Sequence, residues 1–158
     1  MTDDWKRLLE AVAGETPTQA SFDVCFDIAR REVECRVMTV TLHDAAVTTV
    51  ERLYSSRPES WAVGGRKPMS FGIWADTVIG ARKPFVANSY AEMAAVFNDH
   101  PVSEALGLGA IVNVPIFFGG IVRGTVNVLN APGFYDADRV ERTVGLAPFF
   151  TMAMLTAL

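Results

Sequence analysis

The sequence has few of the side chains that bind metal ions or form disulfides, with two cysteines and two histidines in 158 residues. Cys25 and Cys35 belong to one predicted helical stretch, in which ten residues span ~15 Å, beyond the reach of a disulfide. We therefore expect free thiols. His43 and His100 lie far apart in the chain and lack a metal-ligand spacing. The sequence thus predicts neither a metal ion nor a cofactor.

Positive charge and long apolar runs are also scarce. The net charge is −4 and the pI is near 5.1, which disfavours binding to a polyanion such as DNA or to an acidic membrane surface. The densest apolar run, residues 148–158, is shorter than the ~20 residues that span a bilayer. Asp3 and Asp4 stand where a signal peptide would be basic. We predict a cytoplasmic protein with no nucleic-acid partner and no membrane partner.

The strongest local pattern is a β-hairpin over residues 107–130. Its turn is predicted at Gly119-Gly120, because two glycines can both adopt the positive φ of a type I′ turn. Both faces of the two strands are mainly apolar, so we expect this sheet to be covered on both sides. An unbroken register would pair Val112 with Asn127. Pro115 indicates a bulge or break, which would slip that register and exchange the faces beyond it.

The remaining patterns indicate antiparallel strands between terminal helices, an arrangement that is typical of a three-layer α+β domain. At 158 residues we predict a single domain over residues 1–158, with a core over about 20–155 and an N-terminal helix over 1–14. The next predicted elements are a helix from Pro17, with Thr16 and Gln19 as its capping box, strands over 36–44 and 47–55, and a loop over 56–69. A helix capped by Ser70 follows, with Phe71, Trp74 and Val78 on its inner face, and then a strand over 84–88. A second capping box at Ser89 begins a helix to about Phe97, which is followed by a turn, the hairpin and a last helix after Asp136.

Several segments together resemble a GAF domain, and more closely the small bacterial proteins that consist of one such domain. They are residues 52–61 (RLYSSRPESW), 63–67 (VGGRK), 83–88 (KPFVAN), 97–100 (FNDH), 106–107, 113–115 (NVP) and 124–129 (GTVNVL), together with Trp74. The resemblance implies a GAF-like (PAS/profilin-like) domain with a central antiparallel sheet of five to six strands. It also implies terminal helices on one face, which often form a dimer, and a small-molecule pocket between the other face and the insertion over residues 56–100.

Basic and aromatic side chains are concentrated within that insertion and the strand before it. Six of the fourteen basic residues lie between Arg52 and Lys83, with only two acidic residues. A guanidinium beside aromatic rings suits a small planar carboxylate, because the fork pairs with the anion and the rings hold the apolar body. The alternative is that the cations are solvated and the rings belong to the core. The predicted ligand-binding residues are Arg52, Tyr54, Trp61, Trp74, Phe97, His100 and Asn113.

Two of these residues have specific alternatives. Asn113 lies on an apolar strand face and, if buried, needs a partner, which is either a ligand or the backbone near Pro115. His100 follows a helix end, where it could act as a base towards a ligand, cap the helix or contact solvent. His43, at a strand end, is expected to be exposed.

Three functions remain open from the sequence. The first is a non-enzymatic sensor or regulatory domain that binds a small organic, acidic or aromatic metabolite. The second is a small enzyme of the same fold, with His100 or a water molecule as base. Reduction of methionine sulfoxide, which some stand-alone GAF proteins perform, is disfavoured because no cysteine follows Cys35. The third is a structural dimerisation module.

The C-terminal segment predicts a homodimer. Apolar side chains from Phe149 to Leu155 are spread around the whole helix rather than along one stripe, and a monomer rarely exposes such a surface. Pro148 should kink that helix unless it begins a new one. Light scattering behind a sizing column would test the dimer, and a mass of one chain at all micromolar concentrations would exclude it.

Overall fold

A computed structural model of the protein describes residues 2–44, 46, 48–69 and 71–158. The predicted strand start at residue 47 and the predicted cap at Ser70 lie outside the described residues. The elements are α1 (Thr2–Val12), α2 (Pro17–Val33), β1 (Val37–His43), β2 (Thr49–Ser55), β3 (Arg66–Pro68), α3 (Ile73–Ala75), a π-helical turn (Asp76–Gly80), β4 (Phe85–Ala87), α4 (Tyr90–Ala94), α5 (His100–Ala105), β5 (Ala110–Phe118), β6 (Ile121–Asn130), α6 (Ala137–Val144) and α7 (Ala147–Leu155).

The strands form one antiparallel sheet in the order β3-β2-β1-β6-β5-β4. The β5–β6 hairpin turns at Gly119 and Gly120, whose φ values are 62° and 77°. Only residues without a Cβ adopt such angles at no steric cost. The prediction of a central antiparallel sheet of five to six strands is confirmed, and so is the hairpin turn.

One face of the sheet is covered by the terminal helices, which enclose the main hydrophobic core. Phe22, Cys25, Ala29 and Val33 lie along the buried side of α2 at the predicted helical spacing. Val126 of β6 faces this layer and is fully buried. Burial of each such side chain contributes about 1.5–3 kcal/mol to folding.

Two β-bulges determine which side chains face the opposite side of the sheet. In β5–β6 the register shifts between Ile116 and Phe117, so that Arg123 is the extra residue on β6. The bulge lies near Pro115, as anticipated, and it moves Asn127 to a position opposite Asn113 rather than Val112. The unbroken register was therefore wrong, because an extra residue exchanges the two faces of the strand beyond it.

The second bulge lies in β2 and was not predicted. Val40 pairs with Tyr54, whereas Thr41 pairs with Arg52, so Leu53 is the extra residue between them. Residues two apart on a regular strand share a face, but a bulge cancels that rule. As a result Arg52 and Tyr54 point to opposite faces of the sheet.

The insertion between β2 and β5 covers this second face with short elements. It contains β3 and α5, where loop and turn were predicted. The helix that begins at Ile73 ends at Gly80 as predicted, and Trp74 and Val78 are buried. Phe71 was wrongly placed on its inner face, because it precedes the helix and is 81% exposed. Among the described helices, none is long and apolar enough to span a lipid bilayer.

The predicted capping boxes are only partly present. Thr16 makes no side-chain capping bond, and the Gln19 side chain donates to Asp23. Ser89 does accept from the backbone N–H of Glu92, but the Glu92 carboxylate accepts from the residue before the cap. The α4 helix ends at Ala94, before the predicted end near Phe97.

The C-terminal segment forms two helices, so Pro148 begins a new helix rather than kinking one. Phe149 and Phe150 are buried, and Phe149 stacks on Trp5 of α1 with ring centroids 4.2 Å apart. α1 and α2 cover most of this helix within one chain, while Leu155 remains 48% exposed. The homodimer through terminal helices stays a prediction.

Candidate functional site

A cavity of about 80 Å³ lies between the sheet and the insertion. A second hollow of about 230 Å³ adjoins it near Arg52 and Lys67. The first cavity has room for several water molecules, since each needs roughly 10–15 Å³. Its lining residues are Thr39, Thr41, Val50, Arg52, Trp61, Lys67, Pro68, Trp74, Met93, Phe97, Asp99, Ser103, Ile111, Asn113, Thr125, Asn127 and Leu129.

The floor of the cavity is a row of hydrogen-bonded polar side chains on the central strands. Trp74 Nε1 donates to Asn113 Oδ1 at 3.1 Å. Asn113 Nδ2 donates to Asn127 Oδ1 at 2.6 Å, and Asn127 Nδ2 donates to Thr39 Oγ1 at 3.2 Å. We call these four residues the polar ladder. Because Asn113 and Asn127 are bonded to each other, each side-chain nitrogen and oxygen of the two buried amides makes at least one hydrogen bond.

Arg52 supplies positive charge where the two hollows meet. Its side chain is 17% exposed, and its Nη2 lies 3.8 Å from the Asp99 carboxylate, at the limit of an ion pair. Nη1 donates to the Ala62 carbonyl at 3.5 Å, and Nε is buried without a hydrogen-bond partner among the described residues. Burial lowers the pKa of Arg52, and Asp99 opposes that shift. The guanidinium therefore has unused hydrogen-bonding capacity.

Aromatic rings form the walls above this floor. Trp61 is 5% exposed and its Nε1 donates to Asp99 Oδ2 at 3.2 Å. Phe97 contacts Phe85 edge-on, with ring centroids 6.0 Å apart. The first contact joins two parts of the insertion to each other, and the second joins the insertion to strand β4 of the sheet.

The structure brings five of the seven predicted site residues to the cavity, namely Arg52, Trp61, Trp74, Phe97 and Asn113. Tyr54 was wrongly placed, because the β2 bulge turns it into the helix-side core. There it packs on Phe22 and donates to Asp23 Oδ1 at 2.9 Å. His100 is the first residue of α5 and is not among the lining residues. Ligand binding by the other five stays a prediction.

On the central strands, sequence reasoning missed four polar lining residues, Thr39, Thr41, Thr125 and Asn127. Thr39 and Thr41 alternate with buried apolar residues along β1, and no function was inferred for the face that they share. The other two lie beyond the β6 bulge, so the unbroken register placed them on the wrong side. The signal that could have found them is the pair of polar residues within an otherwise apolar strand.

His43 is buried, which contradicts the expectation that it is exposed. It is 7% accessible, and neither ring nitrogen has a hydrogen-bond partner within the described part of the chain. Its ring contacts the edge of Trp74 at a centroid distance of 6.1 Å. Burial lowers the pKa of His43 to about 4, against the weaker opposing effect of Asp44. The imidazole is therefore neutral at pH 7.

Both thiols lie away from the cavity, in the core under the terminal helices. Burial raises the pKa of Cys25 and of Cys35 to about 12, so neither thiol provides a thiolate at neutral pH. In residues 2–44, 46, 48–69 and 71–158, no three side chains of histidine, cysteine, aspartate or glutamate cluster as metal ligands would.

A family model described as GAF domain matches residues 15–154. No curated protein shows significant sequence similarity to the chain.

Solved GAF-domain structures share the architecture. The GAF domain of a two-component sensor histidine kinase from Bacillus halodurans is 13% identical, with a TM-score of 0.69 over 87% of this chain and 92% of that one. The nlh2 GAF domain from A. aeolicus is 14% identical, with a TM-score of 0.68 over 99% and 96% of the two chains. The GAF domain from an Acinetobacter phosphoenolpyruvate-protein phosphotransferase is 15% identical, with a TM-score of 0.68 over 99% and 93%. At these identities the likeness establishes the fold.

Proposed function

This chain belongs to the GAF domain family, whose members generally bind small ligands in sensor proteins, and we propose that it is a non-enzymatic sensor domain for a small organic anion. The ligand occupies the cavity between the sheet and the insertion. Its carboxylate meets Arg52, and its body lies between Trp61 and Trp74.

The observation that carries this proposal is the incomplete pairing of Arg52. A buried charge normally has a partner and several hydrogen bonds, because removing it from water otherwise costs several kcal/mol. Asp99 meets this need poorly, since the two groups are 3.8 Å apart and Asp99 also accepts from Trp61. A ligand carboxylate would give the guanidinium the bidentate partner that it lacks.

The charge around the adjoining hollow supports an anion. Arg52, Arg66 and Lys67 line it against the single carboxylate of Asp99. Arg66 is already paired with Glu51 at 3.2 Å. Lys67 is exposed, forms no ion pair with the described residues and is available as a second cation.

The cavity favours binding over catalysis. The two cysteines lie in the other core, and His43 and His100 are not among the lining residues. The carboxylate in the lining, Asp99, already accepts from Trp61 and faces Arg52, and the lining hydroxyls have no histidine among the described lining residues to activate them as nucleophiles. The described lining side chains instead supply hydrogen bonds, one ion pair and apolar contacts.

The test is a calorimetric titration with matched pairs of probes, benzoate against benzamide and succinate against succinamide. Each pair has the same skeleton and differs in charge. We expect the carboxylates to bind and Arg52→Ala to weaken them roughly tenfold to a hundredfold, which corresponds to the loss of a charged hydrogen bond of about 1.5–3 kcal/mol. The melting temperature should change little, because the Arg52 charge is poorly paired in the free protein.

Arg57→Ala is the matched control for this experiment. It removes the same charge from the segment after β2, but Arg57 pairs with the exposed Glu59 at 3.3 Å and does not line the cavity. Affinity should be kept in this variant. Equal affinity of Arg52→Ala and wild type would refute the proposal. Native mass spectrometry of the gently purified protein would give the mass of any ligand that is carried over.

A further inference from the structure

The polar ladder has a fixed direction, because one of its ends can only donate. The indole N–H of Trp74 has no acceptor function, so Asn113 must turn its oxygen towards it. The Asn113 nitrogen then faces Asn127, which must accept with its own oxygen. The Asn127 nitrogen in turn faces the Thr39 hydroxyl. A single indole therefore determines the orientation of both amides.

This direction decides which hydrogen bonds remain for a ligand. Each amide nitrogen carries a second N–H after its ladder bond is made, and the Thr39 hydroxyl accepts from Asn127, which leaves its hydrogen free to donate. Arg52 Nε adds a buried donor that has no partner among the described residues. Each amide oxygen also keeps a second lone pair, but the two amide N–H groups, the Thr39 hydroxyl and Arg52 Nε outnumber these acceptors.

Acceptors of comparable strength are few. Asp99 is the single carboxylate among the described lining residues. Its Oδ2 already accepts from Trp61 and faces Arg52. A ligand ammonium that bound the other oxygen of this carboxylate, Oδ1, would lie beside the positive charge of Arg52.

We propose that the cavity selects small anions whose second polar group is a hydrogen-bond acceptor, such as a keto oxygen, and rejects the corresponding ammonium compounds. This inference rests on the proposed function, since it assumes that the carboxylate binds at Arg52. The keto oxygen accepts from the free N–H groups of Asn113 and Asn127. An ammonium group in the same place would point its own N–H donors at the N–H donors of Asn113 and Asn127.

The test compares three probes with one carbon skeleton, 2-oxobutanoate, 2-aminobutanoate and butanoate, by calorimetric titration of the wild-type protein. We expect 2-oxobutanoate to bind at least about tenfold more tightly than 2-aminobutanoate, because a buried donor facing a donor is left unpaired. Equal or tighter binding of 2-aminobutanoate would overturn the inference. The proposed function would survive that result, provided that binding depends on Arg52.

A variant tests the role of the ladder itself. Asn113→Asp keeps the size of the side chain but replaces the amide nitrogen by an acceptor. We expect the preference for 2-oxobutanoate to fall at least about tenfold and to shift towards 2-aminobutanoate. An unchanged preference in a folded variant would refute the role of Asn113. If the variant does not fold, the wild-type comparison still decides the inference.

The failure of this inference can be distinguished from failure of the proposed function. If none of the three probes binds while benzoate or succinate binds in an Arg52-dependent way, the inference is overturned and the proposed function stands. If none of these carboxylates binds, both are overturned.

Discussion

Acidification should destabilise this protein through His43. The imidazole is buried and has no hydrogen-bond partner in the described structure, and its pKa is lowered from 6.5 to about 4. The folded state therefore resists protonation, whereas the unfolded state takes up a proton below pH 6.5. Stability contributed by the neutral ring is complete above that pH and is lost as the pH falls towards 4. Proton linkage therefore lowers the free energy of unfolding by about 2 kcal/mol between pH 7 and pH 5.

The measurement is urea unfolding, followed by tryptophan fluorescence, at pH 8, 7 and 5. His43→Phe is the matched variant, because it keeps an aromatic ring against Trp74 and gives up no hydrogen bond. Between pH 7 and pH 5 the free energy of unfolding of the wild type should fall by about 2 kcal/mol more than that of the variant. Between pH 8 and pH 7 the two free energies of unfolding should change by the same amount. Equal losses at pH 5 would show that the folded protein accommodates the His43 proton, and the reasoning would fail.

Two further predictions concern close packing and the buried thiols. Gly124→Ala should destabilise the protein by about 3 kcal/mol or more, because the new Cβ would lie 2.1 Å from the backbone oxygen of Thr41. In Gly120→Ala the new Cβ meets no atom within 4 Å, so the free energy of unfolding should fall by only about 1 kcal/mol, because of the positive φ. Urea unfolding measures both variants, and a larger loss for Gly120→Ala than for Gly124→Ala would contradict this account. Cys25 and Cys35 should react with a thiol reagent only after unfolding, since burial raises the pKa of each to about 12, and rapid labelling of the native protein would refute this.

The layered fold could be predicted from sequence because its signals are local. Gly119-Gly120 specified the hairpin turn, Asp136 specified the cap of α6, and apolar residues on both faces of the hairpin required two covering layers. The elements that were missed are short. β3 was missed because it has three residues and ends at Pro68, which is unfavourable in a strand. α5 was missed because its six residues are too few for a helical pattern and follow turn-like residues.

The site was harder to predict because two bulges control it. Arg52 and Tyr54 follow the same alternation in the sequence, and only the extra residue Leu53 separates their faces. Asn127 reaches Asn113 only because Arg123 is extra on β6. Pro115 indicated the β5–β6 bulge without fixing which residue is extra, and no residue type in β2 marks the second bulge.

Both outermost strands of the sheet, β3 (Arg66–Pro68) and β4 (Phe85–Ala87), are only three residues long. Short edge strands offer few free backbone groups to a strand from another molecule, and Pro68 has no backbone N–H to donate. The long, strongly apolar strands are kept in the interior of the sheet. Fibril growth by strand addition is thereby discouraged at each border, even though the central hairpin has the composition of an aggregation-prone segment.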